Sequence, residues 1–272
     1  MARLQTAAED ANERGRDGMR GEGDGYRPEH RAAIETIMHD MNGSPDNPYI
    51  LKGGTALMLC YGLSRFSEDI DLDAQRATVP AARFFRFIEH TCREHGYDWR
   101  EGKNTPTVQR AFVNYGREDT PLKIEVSHRI KVVDPDAIAH VGGIKTYTIS
   151  ELCELKASAY QNRDKIRDLY DLTFIIEHHY DELSKSARKA AQRALEYKDV
   201  EQFDYLTRTQ HDPLIDVDRL ADSFLNALDM VGLTTNNPMG AEEPDDDNEI
   251  DDLMGRFSGN YDTGGNTSGR IR

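Results

Sequence analysis

The amino-acid sequence predicts an α+β fold, with a mixed β-sheet flanked by helices and followed by a helical subdomain. Short apolar runs that suit buried strands stand on either side of a helix-length apolar segment, which begins at a Gly-Gly turn. Three segments between residues 97 and 128 alternate apolar and polar side chains, as antiparallel strands do. Between residues 149 and 233 only helical spacing recurs, so we expect a helical subdomain to follow the sheet.

Composition divides the 272 residues into four predicted parts. A sheet-containing core covers 26–148 and a helical subdomain covers 149–233. Residues 1–25 and 234–272 contain few apolar side chains, so we expect both end segments to be disordered. Residues 242–252 hold eight acidic side chains and no basic one, which is about half of the net charge of −15. The net charge therefore does not exclude a basic groove elsewhere.

The cellular compartment is indicated by hydropathy and cysteine usage. No apolar run approaches the roughly 18 residues of a membrane span, and the N-terminus has no apolar signal-peptide core. Three cysteines, Cys60, Cys92 and Cys153, lie far apart among apolar neighbours, which is typical of reduced core residues. We therefore predict a cytoplasmic protein that does not bind membranes.

The first half of the chain is predicted to alternate helices and strands. Helical spacing covers 28–41, and a short apolar run follows at 49–51. A helix is expected at 55–63, a strand at 69–73, and a helix from Pro80 to about His95, which Gly96 ends. The three strands predicted after it are Tyr97–Arg100, Val108–Tyr115 and Leu122–His128.

The second half is predicted to be helical throughout. Ser150 suits an N-cap, and the helical spacing that follows continues to about His179. Along this single predicted helix Lys156, Arg163 and Arg167 form one narrow stripe, because successive residues turn by about 100°. Such a face is usually solvated surface, but three cations together favour an anion-binding role. Three further helices are predicted at 181–196, 199–209 and 216–230.

The acidic strand at 69–73 is the feature most indicative of function. Asp69, Asp71 and Asp73 share one face of it, while the intervening apolar residues point into the core. Aspartate forms strands poorly and like charges repel, so carboxylates held in this way favour a bound cation. Magnesium prefers carboxylate and phosphate oxygens and is the natural candidate. The alternative is the half-solvated edge strand of an ordinary sheet.

The turn at Gly53 and Gly54 stands upstream of this strand. Two glycines let a backbone approach a ligand closely. The start of the following helix presents free N–H groups and a positive dipole end to an anion. A phosphate-binding turn beside a metal-binding strand is the arrangement that nucleotidyl transfer needs.

The string GGTALMLCYGLSRFSEDIDL resembles the first motif of the AbiEii/AbiGii toxin family, a branch of the polymerase-β-type nucleotidyltransferases. In that family a Gly-Gly or Gly-Ser turn precedes an Arg-x-Ser-x-Asp-x-Asp segment. The resemblance covers roughly residues 50–175. The residues that match the first motif are Gly53, Gly54, Thr55, Arg65, Ser67, Asp69 and Asp71.

Two later motifs extend the resemblance. Residues 123–126, Lys-Ile-Glu-Val, are similar to the family's Lys-x-Asp/Glu motif, which implies that Glu125 is a third metal ligand; a surface Lys/Glu pair is the alternative. The string LKASAYQNRDKIRDLYDL is similar to a motif in which a Lys precedes Arg-x-x-x-Arg-Asp-x-x-Asp. The residues that match it include Lys156, Arg163, Arg167 and Asp168.

The resemblance implies transfer of a nucleoside monophosphate from a nucleoside triphosphate to an acceptor hydroxyl, with pyrophosphate leaving. Asp69, Asp71 and Glu125 would hold magnesium, or manganese in its place. Asp73 lies past the family motif, so we expect Asp73→Asn to cost little. Lys156 and Asp168 complete the implied catalytic set, although the task of Asp168 is undefined.

The resemblance also implies a set of nucleotide-binding residues. The glycines and Thr55 would cradle phosphate oxygens, and the later cations would stabilise charge on the phosphates. Arg65 and Ser67 would orient the acidic strand or contact the nucleotide. The full implied set is Gly53, Gly54, Thr55, Arg65, Ser67, Lys156, Arg163 and Arg167.

The partners implied by the family are a nucleoside triphosphate, a tRNA whose 3′ end is the acceptor, and a separately encoded antitoxin. The chain would then be the toxin of a toxin–antitoxin or phage-defence pair. Two alternatives stay open on the residues alone. One is nucleotidyl transfer to a small molecule or a protein, and the other is a non-catalytic nucleotide- or RNA-binding module with structural carboxylates.

Overall fold

The computed structural model describes residues 27–116 and 119–234. The predicted disordered segments 1–25 and 234–272 lie outside these residues, apart from Thr234. The first helices and strands are α1 (Arg27–Gly43), β1 (Tyr49–Lys52), α2 (Gly53–Cys60), β2 (Ile70–Ala74) and α3 (Ala81–His95). They are followed by β3 (Asp98–Asn104), β4 (Val108–Asn114), β5 (Leu122–Ser127), β6 (Ile138–Val141) and β7 (Ile144–Tyr147).

The later helices are α4 (Ile149–Asn162), α5 (Ile166–His179), α6 (Lys185–Tyr197), α7 (Val200–Thr209) and α8 (Val217–Met230). Short 3₁₀ turns at Pro135–Ala137 and Tyr180–Glu182 precede β6 and α6. No helix among the described residues is both long enough and apolar enough to span a membrane. The three cysteines are free thiols.

The strands form one seven-stranded sheet in the order β3-β4-β5-β2-β1-β7-β6. Strand β2 pairs parallel with β5, and β1 pairs parallel with β7, while the remaining pairings are antiparallel. The predicted α+β fold with a mixed sheet is therefore confirmed. The β6–β7 hairpin was not predicted, although Gly142 and Gly143 between two apolar runs are typical of a two-residue turn.

The two faces of the sheet differ in what covers them. Helices α1 and α3 pack against each other and against β3, β4, β5 and β7, where the buried residues Ala111, Val113, Ile124 and Val126 meet them. The alternate residues of β4 and β5 point to the opposite face. That face is only partly covered, and it carries the side chains described below as the candidate site.

The helical part joins the sheet through a continuous apolar core. Helix α4 packs on β7, α5 and α6, and α5 packs on α8. Buried residues of these helices and of the sheet belong to one hydrophobic cluster. The four-part division proposed above therefore stays a prediction, because the core itself does not mark a boundary at residue 149.

The prediction of a single long helix from about 151 to 179 is wrong. The chain leaves helical geometry at Arg163 and re-enters it after Lys165, and both residues are extended. Long-range contacts satisfy the opened backbone: Lys198 Nζ donates to the Arg163 carbonyl (3.2 Å), and Gln210 bonds both the Asp164 carbonyl (2.7 Å) and the amide of Ile166 (2.9 Å). Helix α4 also starts earlier than predicted, with Thr148 and not Ser150 as its N-cap.

Asp73 is buried at the end of β2 and makes two polar contacts. Lys52 Nζ lies 2.6 Å from Oδ1, and the Tyr147 hydroxyl donates to Oδ2 at 2.9 Å. Burial beside this carboxylate raises the pKa of Tyr147 above its ordinary range. Asp73 therefore fastens β1 and β7 to β2, a structural role that is separate from the expectation that Asp73→Asn costs little transfer activity.

We predict that Asp73→Ala lowers the melting temperature by roughly 5–10 °C. The substitution leaves a buried hydroxyl and a partly buried ammonium without their acceptor, at about 1.5–3 kcal/mol. Asp136→Ala, in an exposed turn, is the matched control and should leave the melting curve unchanged. Equal melting curves for Asp73→Ala and wild type would show that this contact does not hold the strands together.

Candidate active site

A cleft of about 1050 Å³ lies between the open face of the sheet, the start of α5 and the segment after α7. Ten of the twelve predicted site residues line it. Gly53 and Thr55 do not; they lie behind its wall. The predicted residues that line the cleft are Gly54, Arg65, Ser67, Asp69, Asp71, Glu125, Lys156, Arg163, Arg167 and Asp168.

The acidic residues of β2 and β5 stand side by side because the two strands run parallel. In their register Asp71 is paired with Glu125, so the two carboxylates project from neighbouring strands, about 4.8 Å apart at the backbone. Asp69 and Glu125 each have a cationic partner: Lys123 Nζ lies 2.5 Å from Asp69, and Arg110 Nη2 lies 2.5 Å from Glu125.

The side chains of Asp69, Asp71 and Glu125 all offer carboxylate oxygens, which are the ligands that a hard divalent cation prefers. Asp69 and Glu125, however, are turned toward Lys123 and Arg110. No three acidic, His or Cys side chains among the described residues converge as a metal site. A metal ion bound here would have to replace these two cations as the partner of the carboxylates.

Asp71 has the least favourable electrostatic environment of the three. Burial raises the pKa of Asp71, the charge of Lys123 opposes that rise, and repulsion from Asp69 and Glu125 adds to it. The ionised form of Asp71 is therefore costly in the folded protein. A cation bound beside it would remove this cost.

The two glycines of the turn have different structural tasks. Gly53 has a φ of +73°, a left-handed backbone that favours glycine, and begins α2. A Cβ on Gly54 would lie 2.7 Å from Arg65 Nη2 and 2.8 Å from Ser67 Oγ. Gly54 thus leaves the room that these two side chains occupy, and the first N–H groups of α2 open near Asp71.

Thr55 and Ser67 connect the turn to the acidic strand. The Thr55 hydroxyl is buried; it donates to the Asp69 carbonyl and lies 3.0 Å from Ser67 Oγ. These contacts hold the start of α2 against the residue that precedes β2. Thr55 therefore acts on the site through the backbone of Asp69.

A buried network of charges joins the acidic strand to the later helices. Arg65 makes two hydrogen bonds to Asp171 (2.7 and 2.6 Å), and Lys156 Nζ lies 2.6 Å from the same carboxylate. Lys156 also contacts Asp168 at 3.2 Å, and Arg163 binds both oxygens of Asp168 (2.6 and 3.0 Å). Opposing the effect of burial, Arg163 and Lys156 hold the pKa of Asp168 below its ordinary value.

The model of the family described as nucleotidyl transferase AbiEii toxin, Type IV toxin–antitoxin system, matches residues 37–254. The chain belongs to the AbiEii family. It is accordingly a nucleotidyltransferase of a toxin family, whose substrate is a nucleoside triphosphate and whose system includes an antitoxin.

Two solved structures are similar to this chain. JHP933 from Helicobacter pylori is 25% identical with a TM-score of 0.63, over 76% of this chain and 92% of that one. A putative nucleotidyltransferase from H. pylori is 24% identical with a TM-score of 0.62, over 76% and 95% of the two chains. Both share the fold described here. No curated protein matches the sequence.

Arg167 has partners that the sequence did not predict. Its guanidinium binds Asp212, in the segment between α7 and α8, and lies 3.3 Å from Glu68. In this AbiEii protein Arg167 bridges the two walls of the cleft.

Several cleft residues lie outside the motifs from which the site was predicted. Arg110 alternates with buried residues of β4, so its position on the open face was readable from the strand pattern. Lys165 lies in the break between α4 and α5 and lines the cleft. Gln210 and Asp212 follow α7, and nothing local in their sequence indicates that they reach the site.

We predict that Asp71→Asn raises the melting temperature in metal-free buffer at neutral pH by a few degrees. The raised pKa means that the protonated form stabilises the fold at low pH, and that this contribution is lost as pH rises through that pKa. A neutral amide keeps it. Magnesium should stabilise the wild type and leave Asp71→Asn unaffected; an equal magnesium shift in both proteins would exclude a metal held by Asp71.

Proposed function

We propose that this AbiEii nucleotidyltransferase uses magnesium to transfer a nucleoside monophosphate from a triphosphate to the 3′ end of tRNA. The observation that carries the proposal is the in-register pairing of Asp71 with Glu125 beside the open start of α2. Paired carboxylates and a helix N-terminus in one cleft are suited to a metal-bound triphosphate.

Asp69, Asp71 and Glu125 would hold magnesium, or manganese in its place. A bound divalent cation supplies activation of the acceptor hydroxyl and neutralises charge on the triphosphate. Lys123 and Arg110 balance the carboxylates until a cation binds, and both then become free to contact the anionic substrates.

The phosphates would lie against the start of α2 and the cations of the helical wall. Gly54 lines the cleft at the helix start, while Gly53 and Thr55 shape the turn behind it. Arg163 is exposed on one side and bound to Asp168 on the other, so it can contact a phosphate without losing its position. Lys156 is more deeply buried and stabilises phosphate charge from within the network.

Asp168, Arg65 and Ser67 are proposed as positioning residues. Asp168 holds Lys156 and Arg163 in place, which gives it a task distinct from binding metal. Arg65 and Ser67 hold the segment before β2 against the turn and α5. Arg167 has a similar role between the cleft walls.

In the cell, the protein would act in the cytoplasm as the toxin of a toxin–antitoxin or phage-defence pair. Its activity would stop growth because a tRNA whose 3′ end carries an extra nucleotide cannot be aminoacylated. A separately encoded antitoxin would oppose it.

The transfer test uses each of the four α-³²P-labelled triphosphates with total tRNA, total protein and small-molecule fractions as acceptors. We predict magnesium-dependent labelling of tRNA at its 3′ end. Asp71→Ala should lower it by at least about 100-fold, as expected when charge stabilisation at the reacting centre is lost. Asp136→Ala should match the wild type. Labelled protein or small molecules with unlabelled tRNA would contradict the proposed acceptor.

Substitutions of Lys156 and Arg167 distinguish a residue that contacts substrate from one that has a structural role. Lys156→Ala leaves Asp168 paired with Arg163 and Asp171 paired with Arg65, so we expect near-normal melting and a transfer rate lower by about 100-fold or more. Arg167→Ala leaves Asp212 without its partner, so we expect a lower melting temperature and a smaller loss of rate. Melting curves and initial rates for both variants decide this; the reverse pattern would make Lys156 structural.

A further inference from the structure

An aromatic side chain lies on the open face of the sheet, where no apolar core requires it. Phe112, in β4, is half-buried, and it does not belong to the hydrophobic cluster or to the residues packed against that cluster. Its strand neighbours Ala111 and Val113 point to the opposite face and are fully buried. Packing of the core therefore does not explain an aromatic residue at this position.

The surroundings of Phe112 hold its ring in one orientation. The guanidinium carbon of Arg100, directly across the β3–β4 pair, lies 4.1 Å from the ring centroid. A Cβ on Gly102 would lie 2.5 Å from Phe112 Cε2, so glycine at the β3 bulge makes room for the ring. The Arg100 guanidinium over the ring and the space that Gly102 leaves at the Cδ2–Cε2 edge hold the Arg100–Phe112 pair as a preformed surface.

This surface continues the catalytic face of the sheet. Phe112 is in register with Lys123 of β5, and Arg110 is in register with Glu125. Strand β4 lies two strand spacings from β2, so the distance across the sheet from β4 to Asp71 in β2 is about 10 Å. The distance is about that of one or two nucleotides of an extended strand.

The charges along the surface favour a polyanion. Arg110 and Lys123 are balanced by Glu125 and Asp69. Arg100 and Lys103 are exposed, and within the described residues neither of them has a carboxylate partner. An aromatic ring with adjoining free cations on an open sheet is how many proteins bind single-stranded nucleic acid, by stacking bases and contacting phosphates.

We infer that Arg100, Gly102, Lys103 and Phe112, here called the β3–β4 platform, bind the single-stranded 3′ segment of the acceptor RNA. This inference rests on the proposed function, because it supplies the track along which the acceptor reaches the carboxylates.

The sheet order distinguishes the acceptor from the triphosphate as occupant. The cations proposed for the triphosphate, Lys156 and Arg163, lie on α4 and directly after its last residue. Helix α4 follows β7, which is on the far side of β2 from β4. The carboxylates on β2 and β5 stand between the two regions. The reactant on the β4 side is therefore the acceptor.

The test measures anisotropy of a fluorescein-labelled 12-nucleotide single-stranded RNA with the full-length protein and no triphosphate. Phe112→Ala should weaken binding by about tenfold, the effect of losing one stacked base. Gly102→Ala should cause a similar loss of RNA affinity, although the Phe112 ring is still present. Phe112→Tyr keeps an aromatic ring and should bind the RNA as the wild type does. Arg100→Gln should weaken binding and reduce the slope of log K against log salt by about 0.7.

Matched controls remove an exposed aromatic and an exposed arginine from elsewhere on the surface. Tyr197→Ala and Arg93→Gln should bind the RNA as the wild type does. Binding of ATP, CTP, GTP and UTP by calorimetry should be unchanged in every platform variant. Weakened triphosphate binding with normal RNA binding would overturn the inference in favour of the incoming nucleotide.

Two other results would also overturn it. Wild-type RNA affinity in folded Phe112→Ala would exclude stacking on the platform. Normal RNA affinity combined with lost neutralisation by the antitoxin would assign the surface to a protein partner.

The readout also separates this inference from the proposed function, because RNA affinity is measured without transfer. A wild type that binds RNA through Phe112 but labels no RNA would refute the function alone. A wild type that labels RNA independently of Phe112 would refute the platform alone.

Discussion

The buried ion pair between Arg65 and Asp171 holds the two walls of the cleft together. The residues are 106 positions apart, almost fully buried, and joined by two hydrogen bonds. Removing one partner of such a pair costs about 3–5 kcal/mol, because the other charge is left buried and uncompensated. The pair depends in turn on Gly54, since any side chain there would occupy the space of the guanidinium. The Arg65–Asp171 ion pair therefore forms only if position 54 is a glycine.

Charge balance inside the cleft follows from this arrangement. Asp171 also accepts from Lys156, which continues to Asp168 and then to Arg163. On the sheet side, separate cations neutralise Asp69 and Glu125. Substrate binding would therefore exchange partners among charges that are already paired, and so avoid creating new buried charge. Burial raises the pKa of Asp71, and repulsion from Asp69 and Glu125 adds to the rise despite the charge of Lys123.

Much of the fold was predictable because its signals are local. Pro80 and Gly96 bound α3 as expected, and Gly96 has the left-handed φ of a helix C-cap. The alternation in β4 and β5 correctly separated core residues from those of the open face. The β6–β7 hairpin was missed although Gly142 and Gly143, both with positive φ, carry its turn signal.

The sequence by itself determined the acidic strand, the glycine turn and the periodicity of the helices, since each depends on neighbours within a few residues. Only the tertiary structure decided that the long helical pattern breaks at residues 163–165. Lys198 and Gln210 satisfy the opened backbone there, and they are 35 or more residues away in sequence. Tertiary contacts likewise gave Arg167 its partner Asp212 and left Phe112 outside the core. Local propensity cannot predict such outcomes, because the stabilising groups meet only after the chain has folded.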